Sequence, residues 1–237
     1  MSIPQRLMRT GLLLGEEGVR NLQRSSVMIV GVGAVGGYAL EAVARAGIGH
    51  IIVADFDSFD ESNINRQILA LSSTVGRKKV EVAAERIKEI NPECKVEIKD
   101  IFVDEKTLPE LLNNKVDMVI DAIDSLSSKC CLIEELCRRK QAFISSMGAA
   151  LRTDPSRIKL STLDKTQNCG LAKMLRQNLR RREVDIKKIK CVYSDESAVK
   201  TAQVNVSHVL GSLPTITAIF GLTIANEVIK TLANRKD

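Results

Sequence analysis

The sequence predicts an α/β fold in which helices cover both faces of a doubly wound, mostly parallel sheet, with a mixed extension at the C-terminal end. Short apolar runs alternate with amphipathic helical patterns through residue 146. A glycine-rich turn follows the first apolar run, and an acidic residue ends the second. Alternation of this kind predicts right-handed crossovers, which place helices on both faces of the sheet.

The elements of the predicted sheet follow one another in a regular order, after an N-terminal helical segment that runs through Leu22. In chain order they are strand 27–30, helix 35–46, strand 50–54, helix 78–90, strand 95–102, helix 108–112, strand 116–122, helix 127–139 and strand 142–146. Helix 78–90 ends at Asn91 because the residue before Pro92 disfavours helical backbone. Strand 116–122 is continuously apolar, which is typical of a strand buried on both faces.

The pattern changes after Gly148, where we expect strands 157–163 and 189–193 on either side of a basic helix. A polar loop, 194–207, leads into the apolar segment Val209–Ile229. This last segment contains Pro214 and Glu227, so we expect a helix buried in the core or at a dimer interface rather than a stable membrane span.

The turn after the first strand has the pattern Gly-x-Gly-x-x-Gly, with glycines at Gly31, Gly33 and Gly36. Asp55 ends the second strand, 19 residues after Gly36. Glycines at this spacing let the backbone approach a phosphate at a helix N-terminus, and the carboxylate binds ribose hydroxyls. The pattern therefore predicts a Rossmann-like nucleotide site.

Further polar residues suit a triphosphate better than a nicotinamide cofactor. Arg66 and Lys79 can stabilise negative charge on phosphorus, and Asn63 and Gln67 accompany them. Asp124, just past the strand that contains Asp121, is a candidate ligand of Mg²⁺, because this ion takes one or two carboxylates together with phosphate oxygens. We expect Asp121 to be structural.

The net charge of +6 is concentrated in one segment. Between residues 173 and 190 eight basic residues face two acidic ones, while the rest of the chain has 27 of each sign. The basic residues are Lys173, Arg176, Arg180, Arg181, Arg182, Lys187, Lys188 and Lys190. A local excess of this kind fits a polyanion such as a nucleic acid, although a solvated amphipathic helix has the same composition.

The six cysteines show no Cys-x-x-Cys spacing, and no secretory leader is evident. We therefore expect reduced thiols in the cytoplasm and no zinc site made of paired cysteines. The roles of Cys169 and Cys191 stay open at this point.

An ordered set of motifs resembles the adenylating enzymes related to ubiquitin activation, among them the bacterial ThiF, HesA and MoeB proteins. The motifs are Gly31–Gly36, Asp55-Phe56-Asp57, Ser62-Asn63-Ile64-Asn65-Arg66-Gln67, Lys79-Val80-Glu81 and Asp121-Ala122-Ile123-Asp124. Further segments, such as Ser146-Met147-Gly148-Ala149 and Asp154-Pro155-Ser156-Arg157, are similar to the branch of this family that dehydrates threonylcarbamoyladenosine in tRNA.

The resemblance implies roles for individual residues in binding ATP and Mg²⁺. Asp55 would bind the ribose, Asn63, Arg66 and Lys79 the phosphates, and Asp124 the Mg²⁺ ion. Arg9 matches an arginine that reaches into the partner's ATP site in related dimers, which implies a homodimer with composite sites. The resemblance also leaves room for a monovalent cation held by loop carbonyls and for a partner protein of sulfur or cysteine metabolism.

The implied reaction is adenylation of the carboxylate of threonylcarbamoyladenosine next to the anticodon, after which the neighbouring urea group closes a ring and releases AMP. The whole chain, residues 1–237, would form one domain, with a nucleotide-binding core at about 25–146 and a substrate-side extension at about 147–237. The sequence departs from the family pattern twice in this extension. It has Ala150-Leu151-Arg152 in place of Gly-Asn-Lys, and the helix before Lys173 opens with Asn168-Cys169-Gly170 where the family tends to have Asp-Pro.

Three other functions are compatible with parts of the sequence. An adenylyltransferase acting on the C-terminal glycine of a ubiquitin-like sulfur carrier would share the ATP site, but such enzymes commonly carry paired zinc cysteines. An NAD-dependent oxidoreductase would leave Arg66, Lys79 and Asp124 without a role, and the two histidines, His50 and His208, suggest no catalytic group. A non-catalytic nucleotide-binding module would not need the set of phosphate-binding residues.

Overall fold

The computed structural model describes residues 3–199 and 210–235, and within them seven strands form a single sheet. The strands are β1 (Ser26–Val30), β2 (His50–Asp55), β3 (Lys95–Asp100), β4 (Met118–Asp121), β5 (Phe143–Ser146), β6 (Ile158–Thr162) and β7 (Lys190–Ser194). Their order across the sheet is β3-β2-β1-β4-β5-β7-β6, and every neighbouring pair is parallel except β7 with β6. The predicted doubly wound, mostly parallel sheet with a mixed extension is confirmed.

The helices lie close to the bounds that the sequence predicts, with one exception. They are α1 (Met8–Arg24), α2 (Gly36–Ala46), α3 (Lys79–Ile90), α4 (Leu108–Leu111), α5 (Leu126–Arg138), α6 (Gly170–Arg181) and α7 (Pro214–Ala233). The exception is α7, which begins at Pro214 because proline fits the first turn of a helix, where its missing N–H has no partner to lose. Residues 200–209, which include His208 and Val209, lie outside the described residues.

The two faces of the sheet are covered by different helices, because side chains alternate along each strand. Val27 and Ile29 face a layer formed by α2, α3 and α7, whereas Met28 and Val30 face α4 and α5. A third cluster joins α5, α6 and β7. Each face of the sheet therefore has its own apolar core beneath the helices that cover it.

The C-terminal helix α7 is long and apolar enough to cross a membrane by these two criteria, yet half of its most apolar window is buried inside the protein. Phe220, Ile224 and Val228 lie in the core against α2. A Cβ atom on Gly221 would lie 2.4 Å from the carbonyl oxygen of Val35, so only glycine permits this close approach of the two helices. This face of α7 therefore lies in the core, which agrees with the first of the two predicted positions of the segment.

The order of the strands determines where a ligand can bind. β1 lies between β2 and β4. The chain runs from β1 through β2 to β3 on one side of β1 and then crosses to β4 and β5 on the other side. In open α/β sheets, ligands bind outside the carboxyl ends of the strands at such a reversal. We therefore expect a ligand to bind beside the loops after β1 and β4, and we call this edge of the sheet the β1/β4 crevice.

Candidate active site

The glycine turn after β1 is packed too tightly for side chains at two of its positions. Gly31 has a φ of 87°, and a Cβ atom there would lie 2.8 Å from the carbonyl oxygen of Ala122, in the loop after β4. A Cβ atom on Gly36 would lie 1.8 Å from the carbonyl oxygen of Gly31. The glycines thus bring the turn against the β4 loop and present the N-terminus of α2, which favours anions, to the crevice.

Asp55 lies at the edge of this turn, at the end of β2. Its Oδ2 atom accepts a hydrogen bond from the backbone N–H of Val32 at 2.8 Å, and its Oδ1 atom accepts one from the N–H of Asp57 at 3.0 Å. These two bonds fix the carboxylate beside the glycine turn, where a ribose hydroxyl could reach it.

Lys79 is the first residue of α3 and is almost buried, with 6% of its surface exposed. Its Nζ atom lies 3.0 Å from Oδ2 of Asp57 and 5.9 Å from the centre of the Phe59 ring. The backbone N–H of Lys79 also donates to the carbonyl oxygen of Asp57 at 3.0 Å. The ammonium group is therefore held at the same edge of the sheet as Asp55.

The segment from Asn63 to Gln67 forms turns between β2 and α3. The guanidinium of Arg66 donates to the carbonyl oxygen of Ser62 at 2.7 Å and to Oδ1 of Asn65 at 2.9 Å. Gln67 is buried, and its amide lies near Gly33, since a Cβ atom on that glycine would be 3.6 Å from Nε2 of Gln67. Gln67 thus supports the glycine turn, whereas the half-buried Arg66 remains accessible from solvent.

Asp121 and Asp124 have different environments in the loop after β4. Asp124 is exposed. Asp121 is fully buried, and its Oδ1 atom accepts a hydrogen bond from the N–H of Ile123 at 3.1 Å. Asp121 therefore holds the turn that leads to Asp124, and the prediction that it is structural is confirmed.

Lys129, on α5, is a further residue of this region that the motifs do not include; it is fully buried and forms an ion pair with Asp121. The sequence contained a signal for it. Lys129 stands three, four and seven residues before Leu132, Ile133 and Leu136, which form the buried face of α5. A lysine in such a pattern must either bend out of the core or find a buried acidic partner.

Arg9 lies apart from these residues, exposed on α1, and within the described residues it makes no hydrogen bond to the β1/β4 crevice. The same helix exposes large apolar side chains, with Leu12 83% and Leu13 84% exposed and Met8 also on the surface. No contact among the described residues links Arg9 with the site of its own chain, and its role in the site of a partner chain stays a prediction.

In the basic segment, residues 173–190, some side chains pair with other groups of the protein and others do not. Arg176 is half-buried and donates to the carbonyl oxygen of Thr166 at 3.0 Å, so its guanidinium turns toward the protein. Arg182 pairs with Glu134, Lys188 with Asp185 and Lys190 with Glu227. Lys173, Arg180, Arg181 and Lys187 are exposed, and they have no ion-pair partner in the part of the chain that the structure describes.

Two of the buried cysteines, Cys94 and Cys191, are poor nucleophiles. Burial raises the pKa of the Cys191 thiol to about 12 and that of the Cys94 thiol to about 11. The Sγ atom of Cys169 accepts a weak hydrogen bond from the N–H of Ala172 and caps the start of α6. Residues 3–199 and 210–235 contain no group of three or more His, Cys, Asp or Glu side chains suited to a metal ion.

Comparison with known proteins gives consistent matches over the whole chain. A family model described as the ThiF family matches residues 5–237. The tRNA threonylcarbamoyladenosine dehydratase of Bacillus subtilis is 42% identical over 191 residues, which cover 81% of this chain and 75% of the relative. The enzyme of the same name from Haemophilus influenzae is 34% identical, and the match covers 98% of this chain and 95% of the relative.

Among solved structures, the Escherichia coli tRNA N6-threonylcarbamoyladenosine dehydratase in complex with ATP has a TM-score of 0.89 and 35% sequence identity. The match covers 96% of this chain and 93% of that chain. The complex of the same E. coli protein with AMP has a TM-score of 0.90. The described fold is therefore that of an enzyme that binds ATP and AMP.

Proposed function

The chain belongs to the ThiF family, and we propose from this premise that it dehydrates N6-threonylcarbamoyladenosine in tRNA at the expense of ATP. The observation that carries the proposal is the β1/β4 crevice. Its glycine turn, Asp55 and Lys79 meet at one edge of the sheet, in a chain that matches tRNA threonylcarbamoyladenosine dehydratases over nearly its whole length. Because tRNA and ATP are both cytoplasmic, we propose the same location for the enzyme.

In the proposed reaction, a carboxylate oxygen of the modified nucleoside attacks the α-phosphorus of ATP and pyrophosphate leaves. The acyl adenylate is a good electrophile, whereas the free carboxylate is a poor one. The neighbouring urea group then attacks the acyl carbon, loses its proton and releases AMP, so that a ring forms with net loss of water. Because the nucleophile is part of the same molecule, proximity supplies much of the rate.

We assign each predicted residue a part in this chemistry. Asp55 binds the ribose, and the turn with Gly31, Gly33 and Gly36 accepts the phosphates at the N-terminus of α2. Arg66 and Lys79, together with Asn63, stabilise negative charge on the phosphates. Gln67 packs beside Gly33 and supports the glycine turn.

Asp124 fits the role of Mg²⁺ ligand, because it is an exposed carboxylate in the loop that touches the glycine turn. Magnesium needs only one or two protein carboxylates when phosphate oxygens and waters complete its shell. The ion would neutralise charge on the phosphates, and Asp124 would place it over the crevice.

We further propose a homodimer in which Arg9 of one chain completes the ATP site of the other. The exposed Met8, Leu12 and Leu13 support this proposal, because a helix face so apolar is stabilised by a partner. In each chain residues of about 25–146 bind the nucleotide, and residues of about 147–237 receive the acyl substrate. We expect the tRNA to contact the free basic residues Lys173, Arg180, Arg181 and Lys187. The engaged residues Arg176, Arg182 and Lys188 add to the positive electrostatic potential that attracts the tRNA.

The test is mass spectrometry of nucleosides from tRNA that carries threonylcarbamoyladenosine, after incubation with the protein, ATP and Mg²⁺. A mild work-up is needed because the cyclic product hydrolyses readily. The expected result is an ATP-dependent loss of one water, absent in Asp124→Asn at limiting Mg²⁺. Unchanged nucleoside despite ATP binding would contradict the proposal and point to the C-terminus of a carrier protein as the acyl substrate.

A further inference from the structure

Arg152 lies in the loop that follows β5 and is buried, with only 5% of its surface exposed. A guanidinium keeps its charge in proteins, so its burial requires hydrogen-bond acceptors. Nη1 of Arg152 donates to the carbonyl oxygen of Leu151 at 3.0 Å, and Nη2 donates to that of Asn168 at 2.7 Å. The second bond joins the loop after β5 to the loop before α6.

Both acceptor residues have left-handed backbones, with a φ of 59° at Leu151 and 54° at Asn168. Leucine rarely adopts this conformation, so its surroundings must hold it there. The N–H of Leu151 donates to the carbonyl oxygen of Gly211 at 2.9 Å, and its own carbonyl oxygen accepts from the N–H of Val199 at 3.0 Å. Arg152 therefore anchors a point where three segments of the chain meet.

This point follows β5, the strand next to β4, and so lies at the side of the β1/β4 crevice opposite to the strand that carries Asp55. β5 neighbours β4 on the side away from β1, whereas Asp55 and the glycine turn lie on the other side. A Cβ atom on Gly148 would lie 3.6 Å from Sγ of Cys169, so the loop after β5 packs against the start of α6. The wall next to the crevice is thus connected directly to the basic helix.

We infer that Arg152 is a positioning residue for the acyl substrate: its guanidinium fastens the loop 147–152 to the loop 166–170, so that the basic helix presents the tRNA to the crevice. This inference rests on the proposed function. It assigns Arg152 no contact with ATP, whose binding residues lie on other loops. Loss of the guanidinium therefore affects the tRNA step and spares the nucleotide.

The test compares Arg152→Gln and Arg152→Lys with the control Arg157→Gln. Arg157 lies in the same extension but is exposed and pairs with Asp195. Three readouts are needed: the KM values for tRNA and for ATP, the affinity for tRNA that carries threonylcarbamoyladenosine, and the hydrogen exchange of the Leu151 and Val199 amides. Arg152→Lys retains the charge and stays informative if the glutamine variant folds poorly.

We expect Arg152→Gln to raise the KM for tRNA about tenfold or more, because loosening a positioning loop misplaces the substrate. The KM for ATP should stay within about twofold, both amides should exchange faster, and Arg152→Lys should recover part of the loss. The control should behave as wild type. Equal loss for ATP and tRNA, or wild-type KM values and exchange in Arg152→Gln, would overturn the inference.

The failure of the proposed function would be recognised separately, because the wild-type protein would then form no cyclic nucleoside. In that case the affinity for tRNA and the hydrogen exchange of the two amides test whether Arg152 has a positioning role. Weaker tRNA binding with faster exchange supports its positioning role, and unchanged tRNA affinity refutes it.

Discussion

The Nζ atom of Lys129 lies 2.6 Å from Oδ2 of Asp121, and both side chains are fully buried. Ser145 Oγ donates to the same carboxylate oxygen at 2.6 Å, and Lys129 donates to Ser145 Oγ at 3.2 Å. The other oxygen of Asp121 holds the turn at Ile123. A buried ion pair between β4 and α5 therefore fixes the loop that carries Asp124, the proposed Mg²⁺ ligand.

Replacement of Lys129 by methionine should destabilise the protein by about 3–5 kcal/mol, because the carboxylate of Asp121 would remain buried without a counter-charge. Urea unfolding measures the change. The double variant Lys129→Met/Asp121→Asn should recover part of the loss, since no charge is then left in the core. Lys188→Met, which removes an exposed lysine, serves as control and should unfold like wild type. Wild-type stability in the single variant would show that the pair contributes nothing.

The alternation of strands and helices could be predicted because burial of one face gives each segment its own repeat of apolar residues. This repeat can be read within a few turns or residues of the segment itself. Which strands become neighbours is not local. The insertion of β7 between β5 and β6 depends on pairing across more than 40 residues, for which a single sequence has no signal. The same limit applies to Lys129, whose helical position indicated burial but whose partner depends on the packing of α5 against β4.

The two departures from the family pattern show what the structure adds. In the sequence they are separate differences, at residues 150–152 and 168–170. In the fold their loops touch, because Arg152 donates to the carbonyl oxygen of Asn168, the residue just before Cys169. The acceptor is a main-chain carbonyl, so this bond links the two loops in space whatever side chain stands at residue 168.

Lys79 and its neighbour Lys78 allow a matched test of the phosphate site. Lys79 points into the protein beside Asp57, whereas Lys78 binds the carbonyl oxygen of Phe56 and the carboxylate of Asp100 at the surface. Lys79→Ala should lower adenylation by about 100-fold or more, because a buried cation acting on phosphate charge is lost. Lys78→Ala should stay near wild type. ATP–pyrophosphate exchange measures both, and equal effects would contradict the assignment.

The free basic residues should dominate the salt dependence of tRNA binding. Each phosphate contact that is lost should lower the slope of log K against log salt concentration by roughly 0.7–0.9. We therefore expect a smaller slope and weaker binding in Lys173→Ala/Arg180→Ala/Arg181→Ala, with ATP affinity unchanged. Arg182→Ala, whose guanidinium already pairs with Glu134, should have less effect. An unchanged slope in the triple variant would mean that the segment is only a solvated face.

Glu41 should make the stability of the fold depend on pH. Burial alone would raise the pKa of its carboxyl group, but hydrogen bonds from Arg86 and Arg45 outweigh burial and lower the pKa below the ordinary value of 4.5. A lowered pKa in the folded state stabilises the protein above about pH 4.5, and this contribution is lost as the pH falls through the folded pKa.

Glu41→Gln should therefore reduce the free energy of unfolding more at about pH 7 than at about pH 3. Glu89→Gln is the control, because Glu89 is exposed and lies 3.7 Å from Arg86. Denaturant unfolding at both pH values checks the prediction, which fails if the difference between wild type and Glu41→Gln does not change with pH.

A composite site made by two chains can be tested by mixing two inactive variants. Arg9→Ala should abolish turnover if Arg9 completes the partner's site, and Lys79→Ala should abolish it within its own chain. In a mixed dimer one site then carries both lesions and the other carries neither. Random reassortment makes half of the dimers mixed, so activity should return to roughly a quarter of the wild-type value.

Arg6→Ala controls for the position on the N-terminal segment, because Arg6 donates to the carbonyl oxygen of Ile90 within its own chain. This variant should retain activity by itself. If the mixture of Arg9→Ala and Lys79→Ala stays inactive although the chains exchange, Arg9 and Lys79 cannot serve the same site from different chains. Each crevice would then have to work with the residues of one chain, and the exposed apolar face of α1 would need another explanation than a shared active site.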